Sequence, residues 1–484
     1  MHDVVIAGAG PVGLLLAGEL ALAGCDVLVL EREPAAATPV KAMPLGMRGL
    51  SAASVEALYR RGMLADMGVA DVDAPIRPRH VGHFAGMMLN ATLVGDLPYR
   101  LPSPALEGMM TSLEQVESVL AARAVDFGAE IRYGIEVSEI DPRDDGVLVN
   151  GAIPARWLVG CDGGRGAVRR LAGFSRVGTA PRFTGYIALA TIPDLDKLRP
   201  GFNLTPTGMY LRMHVDGHVG MMDFDGGAFD RSRPPTREHL QSVLRHVSGT
   251  DVTLTELHQV STFTDRSVQA TAYRKGRILL AGDAAHIHSP LGGQGLNLGI
   301  GDAMNLGWKL AATVRGHAPD GLLDTYESER HPVGARVLNW SRAQVETMSP
   351  GPHAAALQAF VGDLLATGDG VTYAYERLSG QANRYDLGSD DPLVGRNAPD
   401  FRLKDGTRLG DLLHSGHGVL LDFTPSALFR DAAEPWSARI RYACGPAVDD
   451  LGLRAVLVRP DGVVAWTDAR DDVGTAAARW FGRE

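Results

Sequence analysis

The chain has 484 residues, room for two or three domains, and 45% hydrophobic with 21% charged residues is a globular composition that excludes wholesale disorder and a coiled coil. Its net charge, 47 − 57 = −10, opposes a phosphate backbone, so nucleic acid is not an expected partner. No run nears the roughly 18 apolar residues of a membrane span, a strand-like run starts where a signal peptide would lie, and three scattered cysteines make neither a disulfide framework nor a zinc site, so a reduced, cytoplasmic protein is expected.

Residues 3–30 read as strand (Asp3–Ala7), glycine turn (Gly8–Gly13), helix (Leu14–Ala23) and strand (Asp26–Leu30), a βαβ unit with its helix as crossover. A helix is predicted over Ser54–Leu64, an extended Pro-rich stretch from Pro75 to Pro104, a helix over Leu113–Gly128 and a strand over Glu130–Asp141. Trp157–Val159 is a short buried strand leading into Cys161-Asp162-Gly163. From Arg176 to Thr271, segments such as Gly208–Val215 and His218–Phe224 alternate as antiparallel strands do, which predicts an inserted sheet. Arg277–Ala281 returns to a buried strand and Gly295–Val314 is an amphipathic helix. Tyr326–Met348 reads as a long helix that Pro332 should kink or interrupt. Beyond the loop-like Gly388–Pro399, Gly418–Phe423 reads as a strand and Ser426–Ile440 as a helix. Ala455–Val458 and Val463–Trp466 read as a hairpin turning at Arg459-Pro460-Asp461-Gly462. The expected organisation is a discontinuous first domain (1–175 and 272–388), the inserted sheet (176–271) and a small α/β tail (389–484).

Gly8-Ala9-Gly10-Pro11-Val12-Gly13 follows a strand and opens a helix, the context a dinucleotide-binding turn requires. Gly8 makes the turn, Gly10 lets backbone approach a pyrophosphate, and Gly13 allows close packing of helix on strand. The helix start offers unpaired N–H groups to phosphate, with Val12 in its first turn. Glu31 ends the next strand and can accept from ribose hydroxyls. This unit does not separate a nicotinamide from a flavin dinucleotide. The stretch Gly282-Asp283-Ala284-Ala285-His286 followed by Pro290-Leu291-Gly292-Gly293-Gln294-Gly295-Leu296-Asn297 does, since a strand-end carboxylate suits a hydroxyl chain. A helix starting near Gly295 points its positive end at a site where a flavin ring gathers negative charge on reduction.

Together these segments resemble the single-component FAD-dependent aromatic hydroxylases of the p-hydroxybenzoate hydroxylase fold, most nearly those that tailor aromatic polyketides and the rifampicin monooxygenases. The resemblance implies an α/β fold: a Rossmann-like FAD-binding domain, an inserted β-sheet substrate domain and a thioredoxin-like C-terminal domain. It implies non-covalent FAD, NADPH or NADH as co-substrate, O2, and a small polycyclic aromatic substrate hydroxylated through a flavin C4a-hydroperoxide. By the same likeness Glu31 holds the adenosine ribose with Arg32 beside it, and Asp162 belongs to a motif linked to FAD and to the nicotinamide donor. Asp283 binds the ribityl or pyrophosphate part. Leu296 and Asn297 contact the isoalloxazine from the helix start, with Pro290, Gly292, Gly293 and Gly295 beside the ring. The chain departs from the pattern at Gly166, where relatives usually carry Ser. The family's Gln aligns with Leu113, which leaves Gln115 as a candidate two residues on. The Arg expected after the ribose acid has two stand-ins, Lys41 and Arg48, because Lys41–Ser51 contains extra residues.

His80, His83, Met222 and Phe224 are candidate substrate contacts. His286 and His288 lack a third ligand, so no metal is expected. Cys444 has no partner at redox spacing, which makes the tail structural. Its Trp436, Trp466, Trp480 and Phe481 must pack on the main body or on a second copy in a homodimer. Baeyer–Villiger oxygenation of a related ketone, and binding of FAD or an aromatic antibiotic without turnover, stand as alternatives to hydroxylation.

Overall fold

The computed structural model describes residues 1–36, 38–69, 82–105, 107–425, 427–468 and 472–482. Five parallel strands form the spine of the first domain, in the order Ile278–Leu280, Ile153–Gly160, His2–Ala7, Val27–Glu31 and Glu130–Tyr133. The central strands are apolar on both faces: Val4, Val5, Ile6, Leu28 and Val29 are fully buried. The nearly all-apolar helix Pro11–Leu22 is buried in turn between Leu113–Asp126 and the helix Gln294–Arg315, here called the loop helix. The expected strand over Glu130–Asp141 ends at Tyr133. Its second half, Ile140–Pro142, turns instead onto Val147–Val149.

Between residues 176 and 271 a five-stranded antiparallel sheet runs in the order Gly201–Thr205, Gly208–Arg212, His218–Asp223, Thr184–Thr191, Glu256–Thr264. The helix Arg237–Ser248 caps it through Leu240, Val243, Leu244 and Val247, at the 3.6-residue spacing of one apolar face. Arg176–Thr179 pairs with Ser267–Ala270 at the root of this insert, and His286–Ile287 adds a third strand there. The segment after Asp283 is thereby stitched to the insert by main-chain hydrogen bonds.

Pro332 does not end its helix, which runs unbroken over Thr325–Met348. The ring leaves the Ser328 carbonyl without its helical donor, but Ser328 is exposed and water can serve that oxygen. Burial of Glu329, Arg330, Val333 and Gly334 on the opposite side holds the helix straight through. Two helices follow, Pro352–Leu365 and Gly368–Ser379, where the sequence pattern announces none.

In the tail the helix expected over Ser426–Ile440 stops at Ala433, before Pro435, and Ile440–Cys444 is a strand parallel to Gly418–Asp422. The sheet is completed by Ala455–Val458 and Val464–Thr467, and Cys444 remains a free thiol. Trp436, Trp466, Trp480 and Phe481 are all buried in one cluster that also takes in Trp308, Ala312 and Leu322 of the first domain. The main body, rather than a second copy, covers them.

The hairpin turn Arg459–Gly462 is not a surface turn. Arg459 is 0% exposed and donates through both terminal nitrogens to Glu329 at 2.8 Å, and through Nε to Asp461. Lys309 donates to the same Glu329 carboxylate at 2.9 Å, and Asn305 donates to it at 2.6 Å. Two further arginines grip the turn from the main body: Arg61 donates to the Pro460 carbonyl and Arg60 to that of Gly462. Burial alone would raise the Glu329 carboxyl, but the Arg459 and Lys309 cations outweigh it and hold it well below the usual carboxylate range. A carboxyl depressed in the folded state contributes stability above its unfolded pKa and loses it as pH falls. Arg459→Ala, which takes the bidentate guanidinium from two buried carboxylates, should therefore destabilise the protein by about 3 kcal/mol at pH 7. That deficit should shrink below about pH 4, which urea unfolding at the two pH values checks.

Candidate flavin site

The parallel register aligns Ala7 with both Leu30 and Gly160, and Gly160 with Leu280. All four motif strands therefore end at one edge of the sheet, so Gly8–Gly13, Glu31, Asp162 and Asp283 gather where open α/β sheets bind ligands. Three segments far apart in sequence become one site for this reason alone.

A cleft of about 250 Å³ opens at this edge, with Gly10, Glu31, Arg32, Lys41, Glu117 and Asp162 among its walls. Glu31 is pre-set: its carboxylate accepts from Ala9 N–H at 2.7 Å and from Glu33 N–H at 2.9 Å. A β-carbon on Gly8 would lie 2.5 Å from the Cys161 carbonyl oxygen, whereas one on Gly10 would meet nothing within 4 Å. The turn thus packs hard on its neighbour strand and leaves open space above Gly10, at the start of a helix with no side-chain cap. Gly13 is packed as tightly against Gly8, and Val12 backs onto Gly282 and Gly299.

Of the two stand-ins for the expected Arg, Lys41 lines the cleft and pairs with Glu117 at 2.8 Å, while Arg48 donates to the Leu45 and Met47 carbonyls. Gln115 does not enter the cleft; its amide donates to the Asp66 carbonyl at 2.9 Å. Glu117, two residues past Gln115 and one turn of helix from Leu113, does enter it, and no motif marked it. Burial raises its carboxyl against the opposing pull of Lys41.

Gly166 has a local reason. A β-carbon there would lie 2.0 Å from Asp162 Oδ1, so the Asp162 carboxylate occupies the space a Ser side chain would need. Its Oδ2 accepts from Val168 N–H at 2.9 Å, while Oδ1 is buried and among the described residues has no partner. Beside it, burial pushes the Cys161 thiol well up, so it carries no thiolate.

On the other flank, Asp302 is fully buried and organises the loop. Its carboxylate accepts from Gly282 N–H at 3.0 Å, His286 Nε2–H at 2.6 Å and Arg330 Nε–H at 2.8 Å. His286 is thereby structural, and among the described residues no cluster of three metal-ligating side chains occurs. Asp283 is exposed at the strand end, facing the start of the loop helix. His288 Nδ1 lies 2.7 Å from the Ser289 carbonyl, so that nitrogen carries the proton and Nε2 is an acceptor. Burial lowers the His288 pKa and keeps the ring neutral. A β-carbon on Gly295 would sit 3.5 Å from this Nε2 and 3.8 Å from Asp283 Oδ1, so two acceptors converge there. His288, set aside with the metal reading, is thus a polar group of the flavin loop. Pro290 and Gly293 are exposed, Gly292 and Leu296 half-buried. Asn297 spends its amide differently from expectation: it accepts from Ser51 N–H and donates to the Gly49 and Gly293 carbonyls, clipping the strand Met47–Ser51 to the loop helix.

These groups fit FAD. Open space over Gly10 at a helix start suits a pyrophosphate, and Glu31 suits a ribose. The orphaned acceptors Asp162 Oδ1 and His288 Nε2, with Asp283, suit its hydroxyl chain. The loop helix starts with no acidic residue in its first turn, which leaves its positive end bare for the ring.

Asp283→Ala should lower FAD affinity roughly tenfold or more, since hydrogen bonds to a charged acceptor are worth about 1.5–3 kcal/mol; flavin content after dialysis reports it. Acid precipitation of the wild type should release all flavin, and colour left in the pellet would count against a non-covalent site.

Residues 1–341 match the family described as FAD binding domain, and residues 391–484 match the aromatic-ring hydroxylase C-terminal family. The chain is 45% identical to a monooxygenase of Claviceps purpurea over 97% of its length and 95% of that protein. It is 37% identical to the rifampicin monooxygenase of Streptomyces venezuelae over 100% of its length and 99% of that protein. The solved structure of CabE, an aromatic hydroxylase from angucycline biosynthesis, superposes with a TM-score of 0.88 at 35% identity, covering 100% of this chain and 99% of that one. The chain belongs to the FAD-binding aromatic-ring hydroxylases, which are flavin-dependent monooxygenases.

Proposed function

We propose that this protein uses NADPH or NADH and O2 to hydroxylate a planar polycyclic aromatic substrate of the polyketide type. One observation carries the substrate side. Leu291, within the flavin loop, shares an apolar cluster with Phe183, Met209 and Met222 of the insert, with Phe84, and with Met348 of the long helix; Phe224 packs against it. A cluster built from aromatic rings and unbranched methionines adapts to a large flat ligand. The relatives' names, a rifampicin monooxygenase and an aromatic hydroxylase from angucycline biosynthesis, support the same class.

Bound FAD would supply hydride acceptance and O2 activation. The chain's own part is to hold it, to exclude water and to place the substrate. Glu31, Asp162 and Asp283 serve the dinucleotide and its hydroxyl chain. The bare start of the loop helix favours negative charge at the ring. The cluster around Leu291 keeps water from the reacting oxygen. No side-chain nucleophile is needed, because the aromatic ring itself supplies the electron pair. Of the candidate substrate contacts, His80 lies outside the described residues. His83 packs on Phe202 at 4.1 Å between ring centroids, and its Nδ1 accepts from Gly86 N–H. Burial lowers its pKa to about 4, so it is neutral at pH 7 with its proton on Nε2, a donor for a phenolate oxygen.

Among the described residues no helix is long and apolar enough to cross a membrane, and the free thiols suit a reducing cytoplasm. A homodimer is not required to cover the tail.

The test is NADPH oxidation across a panel of polycyclic phenols, with product mass spectrometry under ¹⁸O2. Ligand-driven oxidation and one ¹⁸O in a new aromatic hydroxyl are expected. A ring-expanded lactone would replace hydroxylation with Baeyer–Villiger chemistry. Ligand binding without NADPH consumption would make the protein a binder.

A further inference from the structure

Two buried N–H donors of the long helix, on Gln344 and Trp340, have no acceptor among the described residues. Gln344 is 0% exposed, and its Oε1 accepts from Ala85 N–H at 3.0 Å. That bond fixes the amide orientation, since the flipped form would set N–H₂ against N–H. Its Nε2 is thereby held as a double donor, and among the described residues it has no partner. A β-carbon on Gly292 would lie 3.6 Å from this Nε2, so the donor stands beside the glycines of the flavin loop. Trp340 lies four residues earlier, on the same helical face. Its indole Nε1 is also buried without a partner, while its ring stands edge-on to Phe84 at 4.8 Å. Both residues back onto the hairpin His83–Phe84/Met87–Met88, whose tip residue Ala85 is held at φ 49°.

Leaving a buried donor unmade costs about 1–3 kcal/mol, and native structures seldom accept that twice on one helical face. The surroundings explain what the acceptor is. Phe84, Phe183, Met209, Met222, Leu291 and Met348 form the apolar cluster on which the substrate reading rests. Their side chains offer no oxygen, and among the described residues neither donor has an acceptor, which leaves one for a ligand to supply. Two neutral donors suit an oxygen acceptor on the rim of an aromatic ring, a carbonyl or a phenolate.

We propose that Trp340 and Gln344 form a donor pair that grips a quinone carbonyl or phenolate oxygen on the edge of the aromatic substrate, beside Gly292. This rests on the substrate class proposed above and deepens it. The ligand is a polycycle with an oxygen on its rim, and the long helix is a wall of its site. Both are positioning and specificity residues. Donation to a phenolate oxygen favours the ionised, electron-rich ring, and donation to a quinone carbonyl sets the ring's register against the loop.

The experiment is equilibrium binding to the oxidised, FAD-loaded protein. It uses two planar probes with the same tricyclic frame and sulfonate, one with rim carbonyls and one without, anthraquinone-2-sulfonate and anthracene-2-sulfonate. Wild type should bind the quinone more tightly by about tenfold or more. Trp340→Phe keeps a ring against Phe84 and removes the N–H with part of the indole, a packing loss that both probes would feel alike. It should weaken quinone binding by about fivefold to tenfold more than anthracene-2-sulfonate binding, leaving FAD content as it was. Gln344→Met should do the same, and the double variant should bind the two probes alike. Equal affinities in wild type, or losses that fall equally on both probes, overturn the proposal, since a packing role would not tell them apart. Binding of neither probe overturns it too. A wild type that selects the quinone but never oxidises NADPH retains the donor pair and sinks the monooxygenase reading instead.

Discussion

The buried carboxylate of Asp302 is the point on which the flavin side of this protein turns. An ion with no exposed surface must be fully paired. Burial would raise its carboxyl; the His286 and Arg330 partners outweigh that and keep it ionised. Each partner belongs to a different element. Gly282 opens the short turn Gly282–Ala284 that carries Asp283, His286 belongs to the strand that joins the insert root, and Arg330 sits on the long helix. Arg330 also donates to the Leu298 carbonyl and the Tyr385 hydroxyl, tying in the loop helix and the approach to the tail. The relative placement of Asp283, the Pro290–Asn297 loop and the substrate-side cluster follows from satisfying this one charge.

The tail is fastened by the same physics at a second site. Its hairpin turn inserts Arg459 and Asp461 among Lys309, Asn305 and Glu329, and Arg60 and Arg61 hold the turn's carbonyls. Glu329 and Arg330 are neighbours on the long helix, one facing the tail cluster and the other facing Asp302. A domain with no redox cysteine pair thus bears on the flavin side mechanically. Its seat and the loop that faces the ring share one helix, so loosening the first would disturb the second.

Where sequence and structure part, competing local forces decide. Pro332 reads as a break, but the carbonyl it orphans is exposed and the opposite face is buried. Ser426–Ile440 has the composition of a helix, yet Pro435 stops it and a parallel partner draws Ile440–Cys444 into a sheet. Asn297 reads as a flavin contact and instead serves backbone groups of Gly49 and Ser51. Gln115 reads as a cleft residue and turns to Asp66. Asn297 and Gln115 share one property: each bonds a backbone group more than forty residues away, which local pattern does not encode.

The sequence by itself determined the βαβ start, the strand-end acids Glu31, Asp162 and Asp283, the inserted antiparallel sheet and the family to which they belong. Each is written in contiguous residues, as a glycine spacing, an alternation or an acid closing an apolar run. Tertiary structure alone decided that Lys41 rather than Arg48 reaches the cleft, that Glu117 joins it, and that Arg459 is a buried clasp. It also left His288, Trp340 and Gln344 with unmet hydrogen-bonding groups. Those facts concern which polar atoms find partners once the chain is packed, and a polar side chain reads the same in sequence whether its bond is made or left open.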